Sequence, residues 1–369
     1  MMNIFKHSLL FSLLVFSVHS HAQSFLDADS TGDAYNRITS KKFGYETPDC
    51  IHQLRHITEI WDYQLKKFVF AFALHSRIDN DRCINNDRQR TEIKTSGSSP
   101  DSMKIFFSET LYERWKFRID QFYKPSPNFC HIHQLKAGDG PNDGLPLITI
   151  SLRRETPDKL QIVYYSPAGN ERILEQVDLS RFKGIWVEVF EKVTVSDSGS
   201  YSLVIKSVGS ENTLLAYSNK NLDLWREGST FIRPKWGIYR SLKSPSYLRD
   251  EIIRFADFSM IKRNNPNLPI ERSALDAVSL PGNRIKLSWT VNVNNEDQFR
   301  INRSEDGANW SYLTSVSRFP LNKWDHGVVS YVDTLKQYGT YYYKVRSENT
   351  FGNSFYSNAA GCSLSSSDK

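Results

Sequence analysis

The sequence has little of what marks fibrous, disordered or membrane-spanning proteins. Of its 369 residues, 18 are glycine, 14 are proline and only four are cysteine. The near-average glycine and proline content excludes a collagen-like chain and long disordered regions. Past the N-terminus no apolar run is long enough to cross a membrane, so we expect no membrane span. With 39% hydrophobic residues, the chain can bury a large core.

A strong excess of one charge is also missing. The chain carries 47 basic and 41 acidic residues, a formal net charge of +6. A surplus this small permits an anionic partner but does not call for nucleic acid, and we expect no nucleic-acid partner. Nothing in the composition calls for an obligate oligomer, so we expect a monomer.

The N-terminus has the pattern of a secretory signal peptide over residues 1–22. Lys6 and His7 precede an apolar run over residues 9–18, and the small-x-small site Ser20-His21-Ala22 follows. We expect cleavage after Ala22 and a secreted or periplasmic mature protein. No cysteine follows the run, so a lipid anchor is not expected.

An exported chain with four cysteines allows disulfides, and four cysteines have three complete connectivities. Cys50 and Cys83 are the preferred pair because both flank the first strands. Cys130 lies inside a predicted strand, which favours a free, buried thiol. The cysteines lack the C-x-x-C spacing of a zinc site.

Strands dominate the prediction from residue 57 onward. Residues 67–74 (KFVFAFAL) are apolar on both faces, as in a strand buried between stacked sheets. Many short strands separated by turn residues, without a βαβ rhythm, predict a β-sandwich. The predicted fold class is therefore all-β, with a concanavalin-like β-jelly-roll sandwich over residues 23–262.

The chain changes character after an Asn- and Pro-rich linker, residues 263–273. Trp289 lies on a predicted core strand, and Leu335 precedes Tyr341 by six residues. This segment resembles a fibronectin type III module over residues 274–364, in which the Tyr341 phenol would bond back to the backbone. Residues 365–369 form a short tail. We assign the module no chemistry.

Three strand-like stretches carry the candidate chemistry, namely RTEIK (90–94), HIH (131–133) and RPKWGIY (233–239). Because side chains alternate along a strand, each stretch presents its polar residues on one face. Gln134 is expected on the face opposite the histidines. If the strands are neighbours, they form a basic groove with a Tyr/His pair. The candidate site residues are Arg90, Glu92, Lys94, His131, His133, Arg233, Lys235 and Tyr239.

This set suits β-elimination from a uronic acid. A base removes the C5 proton, cationic or neutral donors stabilise the developing enediolate, and an acid protonates the leaving oxygen. An arginine can grip a carboxylate with two parallel hydrogen bonds, which favours Arg90 for that role. No metal or organic cofactor is required. Asp139 and Asp143 lie in a glycine loop that lacks EF-hand spacing, and a bound calcium ion is expected to be structural.

The three stretches resemble the signature strands of secreted jelly-roll polysaccharide lyases, in the same order. Alginate lyases of this fold carry R-(S/T)-E-L-R, Q-I-H and Y-x-K-A-G-x-Y, and the wider sequence is closer to the glucuronan lyase and heparin lyase I group. The resemblance covers residues 45–262. It implies that Tyr239 is the acid and also a candidate base, with His133 the alternative base. It implies that Arg90, helped by His131, neutralises the substrate carboxylate and that Lys235 binds substrate. The implied partner is an anionic, uronate-containing polysaccharide.

Two other function classes remain at the sequence level. A glycoside hydrolase on the same sandwich needs two carboxylates about 5–9 Å apart, and no E-x-D-x-x-E strand is found. A carbohydrate-binding protein without turnover could use the same basic groove. The Tyr239/His133 pair separates the lyase from this alternative, because binding alone does not need it.

Overall fold

The computed structural model describes residues 24–50, 53–210, 212–263, 274–291, 296–318, 327–349, 352–354 and 356–365. The predicted signal peptide, nearly all of the predicted linker and most of the tail lie outside these ranges, so those predictions stand as predictions. No helix in the described ranges is long and apolar enough to cross a membrane.

Strands form almost all of the regular structure between residues 24 and 263. They are β1 (Ser24–Leu26), β2 (Gly44–Glu46), β3 (Ile57–Asp62), β4 (Lys67–Leu74), β5 (Arg88–Lys94), β6 (Thr110–Ile119), β7 (Cys130–Ala137), β8 (Pro146–Arg153), β9 (Lys159–Tyr165), β10 (Glu171–Asp178), β11 (Trp186–Thr194), β12 (Gly199–Ser207), β13 (Thr213–Leu222), β14 (Ile232–Ser241) and β15 (Glu251–Arg263). One helix, α1 (Ala34–Ser40), begins at Asp33, whose side chain accepts from the Asn36 amide. Three single 3-10 turns lie at Asp101–Met103, Leu179–Arg181 and Pro245–Tyr247.

These strands form two antiparallel sheets that pack face to face. The eight-stranded sheet has the order β13-β12-β11-β6-β15-β4-β3, with β1 added against β15. The seven-stranded sheet has the order β10-β9-β8-β7-β14-β5-β2. The predicted all-β sandwich is confirmed, and the three motif strands β5, β14 and β7 are immediate neighbours in the second sheet.

The core lies between the two sheets and is built from large apolar side chains. Trp115 and Phe117 enter it from the eight-stranded sheet, and Trp236 and Ile238 enter it from β14 of the seven-stranded sheet. Alternation along β14 therefore turns Lys235 and Tyr239 to the other side. We call that side of the seven-stranded sheet, which faces away from the core, the outer face.

The chain from residue 275 onward forms a second, smaller pair of sheets. Its strands are β16 (Leu275–Leu280), β17 (Arg284–Thr290), β18 (Gln298–Ser304), β19 (Ser311–Ser317), β20 (Val328–Thr334), β21 (Gly339–Asn349), β22 (Gly352–Asn353) and β23 (Ala360–Leu364). One sheet has the order β16-β17-β20, and the other has β19-β18-β21-β22 with β23 against β21. The Tyr341 hydroxyl donates to the Gln337 carbonyl at 3.2 Å, the backbone bond that a tyrosine corner requires. The fibronectin type III assignment and the domain boundaries remain predictions.

The cysteines have the predicted states. Cys50 and Cys83 form a disulfide across a sequence separation of 33 residues. Cys130 is free and buried, and its sulfur lies 3.2 Å from the Tyr123 hydroxyl. Cys362 lies outside this disulfide and is partly exposed.

Removing the disulfide should lower the free energy of unfolding. Closing a loop of this length restricts the unfolded chain, so a Cys50→Ala/Cys83→Ala variant should lose about 2–4 kcal/mol of unfolding free energy. Urea unfolding measures the loss. A Cys362→Ala variant is the matched control and should change stability by less than about 0.5 kcal/mol. Equal losses in both variants would contradict a role for the disulfide.

Candidate active site

The three motifs meet on the outer face around Tyr239. In the strand register Tyr239 is opposite Arg90 of β5 on one side and His131 of β7 on the other. Residues 110 to 150 positions apart in sequence are therefore direct neighbours. The predicted grouping of the three stretches on one sheet is confirmed.

Tyr239 lies between two guanidinium groups. Arg88 donates from Nη1 to the phenolic oxygen at 2.8 Å, and the Arg90 guanidinium carbon is 3.8 Å from the ring centroid. The Phe129 ring packs 4.9 Å away, centroid to centroid. The hydroxyl thus sits in a positive environment that stabilises negative charge on its oxygen.

Gly237 permits the close approach of β14 to β5 beside this tyrosine. Its φ is +149°, and a Cβ added there would lie 2.0 Å from the Thr91 carbonyl oxygen. Any side chain would push the two strands apart or force the backbone into a strained conformation. The glycine in the third motif is therefore needed for strand packing.

Arg90 is not free to hold a substrate carboxylate. Its Nη1 lies 2.9 Å from Glu46 and 3.0 Å from Glu92, and its Nε lies 2.8 Å from Asp81. The side chain is 8% exposed. Three carboxylates already surround this guanidinium, so Arg90 balances charge within the protein and does not serve as the substrate clamp.

Lys235 and Lys94 belong to the same ion cluster. Lys235 Nζ lies 2.6 Å from Glu46 and 2.7 Å from Glu92, and Lys94 Nζ lies 2.6 Å from Glu46. Burial raises the pKa of Glu46, but Lys235, Arg90 and Lys94 outweigh burial and hold that pKa well below its usual range. These cations are therefore paired with carboxylates of the protein and form the buried base of the site.

His131 is at the base of the site, 4% exposed, with its ring centroid 5.8 Å from that of Tyr239. Its Nδ1 lies 2.7 Å from the Ser151 hydroxyl, which in turn lies 2.8 Å from the Thr149 hydroxyl. Burial, together with Arg153, Arg90 and Lys235, lowers the pKa of His131 to about 3. The imidazole is therefore neutral at ordinary pH and is oriented by a serine.

His133 does not share the face of His131, and that prediction is wrong. The β7–β8 register shifts between the two histidines, and the β7–β14 register shifts at the same place. A bulge inserts one extra residue and reverses the alternation beyond it. His133 is consequently 0% exposed and lies between the sheets, against Trp115 and Trp236.

The same bulge corrects the placement of Gln134. We expected it opposite the histidines, but it lies on the outer face and donates from Nε2 to a Glu92 oxygen. It is 2% exposed. The amide fixes Glu92, which also contacts Lys235 and Arg90.

Two cations on the outer face are influenced by the charge of Asp143 but form no ion pair in the described part of the chain. Arg233 and Lys136 are directly opposite each other on β14 and β7. Burial, then Lys235 and Arg90, lower the pKa of Lys136 to about 8. Burial also lowers the pKa of Arg233. Like charges directly across a strand pair repel each other, so this arrangement favours an anionic ligand.

Sequence reasoning missed several residues of this site. Arg88 carried a usable signal, because it precedes Arg90 by two positions on the same strand face. Lys136 is likewise two residues beyond Gln134. Glu46 and Asp81 come from a three-residue edge strand and a loop, where no local pattern marks them as partners of Arg90.

Residues considered for other roles have structural contacts. Trp236 is 1% exposed and belongs to the core, as expected. Trp225 packs edge-on against Phe107, with ring centroids 5.3 Å apart. Asp139 accepts from the Thr230 amide at 2.7 Å and from its hydroxyl at 2.5 Å, which accounts for its orientation in the glycine loop.

Comparison with known proteins adds a likeness of fold. No protein-family model matches the chain, and no curated protein matches it either. Alginate lyase PA1167 from Pseudomonas aeruginosa is 17% identical, over 55% of this chain and 84% of that one, with a TM-score of 0.37. Alginate lyase vAL-1 from Chlorella virus is 11% identical over 60% and 91%, with a TM-score of 0.40. The binding domain of botulinum neurotoxin serotype D/C is 10% identical over 83% and 68%, with a TM-score of 0.35. The chain thus resembles both lyases and a binding domain, and the choice of function rests on its own residues.

Proposed function

We propose that this protein is a polysaccharide lyase that cleaves a uronate-containing polymer by β-elimination. The observation that carries the proposal is Tyr239 on the outer face, with its oxygen bound by Arg88 and its ring beside a neutral His131. Binding a polymer requires no such phenol. The predicted signal peptide implies that the reaction takes place in the periplasm or outside the cell.

Tyr239 performs both proton transfers in the proposed reaction, taking one proton from C5 and giving it to O4. The ionised phenol oxygen takes the C5 proton, and the C5–H electron pair passes into the carboxylate to form an enediolate. The pair then forms the C4–C5 double bond as the C4–O4 bond breaks. The proton moves from Tyr239 to the leaving O4, which regenerates the phenolate. Arg88, whose guanidinium also pairs with Asp87, is the cationic donor to this oxygen during the cycle.

His131 takes over the neutralising role that the resemblance gave to Arg90 with the help of His131. In the tautomer whose Nδ1 accepts from Ser151, the ring hydrogen is on Nε2 and can be donated to the developing enediolate. A neutral donor in a fixed position stabilises charge that appears only in the transition state. The buried ion cluster beneath the site holds the neighbouring strands in place. Its members include Arg90, Glu92, Lys94 and Lys235.

Arg233 and Lys136 bind the polymer in this proposal. Both lie on the outer face without an ion pair in the described part of the chain, so carboxylates of neighbouring sugar units can supply the missing charge. Anion binding also relieves the repulsion between these opposed cations. This contact determines affinity and leaves the chemical step to Tyr239 and His131.

A glycoside hydrolase fits the site less well. Two carboxylates of the site, Glu46 and Glu92, both contact Lys235 and Arg90. An acid catalyst needs a protonated carboxyl facing the substrate, which these cations oppose. A carbohydrate-binding protein without catalytic activity is the remaining alternative. It would bind the polymer but would not convert it to product.

The test is product formation on a panel of uronate polymers. Mature protein is incubated with glucuronan, heparan sulfate, hyaluronan and alginate, and the ultraviolet absorbance of the unsaturated uronate product is followed. We expect a rise on at least one polymer. Bound polymer without a rise would establish the binding protein, and new reducing ends without a rise would establish hydrolysis.

Lys136 should make polymer binding pH-dependent. Because its pKa is lowered to about 8, it loses its proton as the pH rises through 8, and affinity for an anionic polymer should fall. Between pH 7 and pH 9 we expect about a tenfold weaker Kd, or ~1.4 kcal/mol. Isothermal titration of wild type and Lys136→Gln measures this, and the variant should show a flatter profile. A Lys220→Gln control, exposed on the other sheet, should keep the wild-type profile.

A further inference from the structure

A second cluster of polar side chains lies inside the sandwich, on the other side of the seven-stranded sheet from Tyr239. Glu113 on β6 and Glu191 on β11 are directly opposite each other in the eight-stranded sheet. His133 reaches them from β7. All three side chains are 0% exposed. Two acidic residues paired in the core are costly unless something neutralises them.

The ligand atoms of this cluster face one another without hydrogen bonds. His133 Nε2 lies 3.0 Å from a Glu191 oxygen and 3.8 Å from a Glu113 oxygen. All candidate ligand atoms lie within 4.8 Å of one another. Both oxygens of each carboxylate and both ring nitrogens have no hydrogen-bond partner. Native proteins rarely leave so many buried polar atoms unpartnered, and each needs an explanation.

The surroundings of the cluster are largely aromatic. The imidazole packs between Trp115 and Trp236, with ring centroids 5.4 Å and 5.5 Å away. The buried Tyr201 hydroxyl is close enough to Glu191 to interact with it. Within the described ranges, neither Glu113 nor Glu191 forms an ion pair with a lysine or arginine. A cation held at the centre would supply the missing charge.

We propose that Glu113, His133 and Glu191 bind a divalent first-row transition-metal ion of the Zn²⁺ class. One imidazole nitrogen and two carboxylates are common ligands for such ions, and the two carboxylates balance a charge of +2. The nitrogen ligand favours this class over Ca²⁺ and Mg²⁺, which prefer oxygen. Tyr201 is placed to donate to a ligating carboxylate and orient it. Because the site is closed to solvent, its role is structural, joining the two sheets.

The proposal gives the two histidines of the second motif separate tasks. His131 faces the outer surface and Tyr239, whereas His133 faces the metal site across the same strand. The bulge between them produces this division. The proposed metal site is therefore independent of the lyase proposal.

Metal content of the mature full-length protein tests the site. Protein is made in zinc-supplemented medium without a metal-affinity tag, and mass spectrometry measures bound first-row metals. We expect about one equivalent in wild type and less than a tenth of that in His133→Gln. His75→Gln is the matched control, because His56, His75 and Asp79 form the other cluster of metal-ligating type in the described ranges. Loss of metal in His75→Gln with retention in His133→Gln would overturn the proposal.

A second measurement covers the case in which His133→Gln fails to fold. Wild type with its disulfide intact is unfolded in denaturant and refolded with either a chelator or zinc sulfate. We expect the zinc sample to have a Tm higher by about 5 °C or more. X-ray absorption at the zinc edge should show one imidazole and otherwise oxygen ligands. Wild type that takes up no metal on refolding and has an unchanged Tm would show that the cluster holds protons alone.

The two proposals fail separately. Tyr239→Phe should keep the full metal content while losing turnover. A metal-free wild type that still produces unsaturated uronate would overturn the metal site and leave the lyase intact.

Discussion

A Tyr239→Phe variant should lose turnover and keep polymer binding. The change removes one oxygen atom, the acceptor of the 2.8 Å bond from Arg88, and leaves the ring beside Arg90. Because this oxygen takes part in both proton transfers of the proposed cycle, kcat should fall by about 10²–10⁴-fold. Affinity should change by less than about threefold, because Arg233 and Lys136 are untouched. Steady-state kinetics and titration calorimetry measure the two effects.

Tyr247→Phe is the matched control for this experiment. Tyr247 is 44% exposed and packs under the Arg154 guanidinium, 4.3 Å from the ring centroid. Its phenol has no part in the proposed reaction, so kcat should stay within twofold of wild type. If Tyr239→Phe retained more than a tenth of the wild-type kcat, Tyr239 could not be the group that transfers the protons.

A Glu46→Gln variant should be the most destabilised of the single changes at the site. Glu46 accepts from Lys235, Arg90 and Lys94 at 2.6–2.9 Å, and only Glu92 and Asp81 would remain to balance them. Breaking a buried ion pair from one side costs about 3–5 kcal/mol, because the partner charges stay buried. Urea unfolding at pH 7 measures this loss.

The pH dependence gives an independent check on Glu46. Its pKa is lowered in the folded protein, so its contribution is complete above the unfolded-state pKa of about 4.5 and is lost as the pH falls below it. The stability difference between wild type and Glu46→Gln should therefore shrink toward pH 3. Glu171→Gln, an exposed partner of Arg153 at 3.4 Å, should cost less than about 0.5 kcal/mol at either pH. A gap between wild type and Glu46→Gln that stays constant with pH would show that the loss comes from packing.

The bulge in β7 explains the main error of the sequence reasoning about the site. Alternation is a local rule, and HIH read as a regular strand places both histidines on one face. The extra residue is visible only in the pairing of β7 with β8 and β14, because a bulge is a mismatch between two strands. Where the pairing is regular, as between β5 and β14, alternation placed the side chains correctly.

The partners of Arg90 explain the second error. A guanidinium on a strand face looks available for a substrate when only its own strand is considered. Glu46 and Asp81 arrive from 44 and 9 residues away and occupy it. Which segments bring compensating charge depends on how edge strands and loops pack, and neither charge pattern nor spacing carries that information.

The sequence by itself predicted the all-β class, favoured the Cys50–Cys83 pair and indicated a polar face on each of three strands, whereas the sheet order made those strands neighbours around Tyr239. These follow from local periodicity and from the positions of cysteines beside strands. The tertiary structure alone decided that His131 faces outward, that His133 faces Glu113 and Glu191, and that Arg90 is already neutralised. These outcomes depend on strand register and on contacts between distant segments, which hydrogen bonding between strands sets only once the sheets have formed.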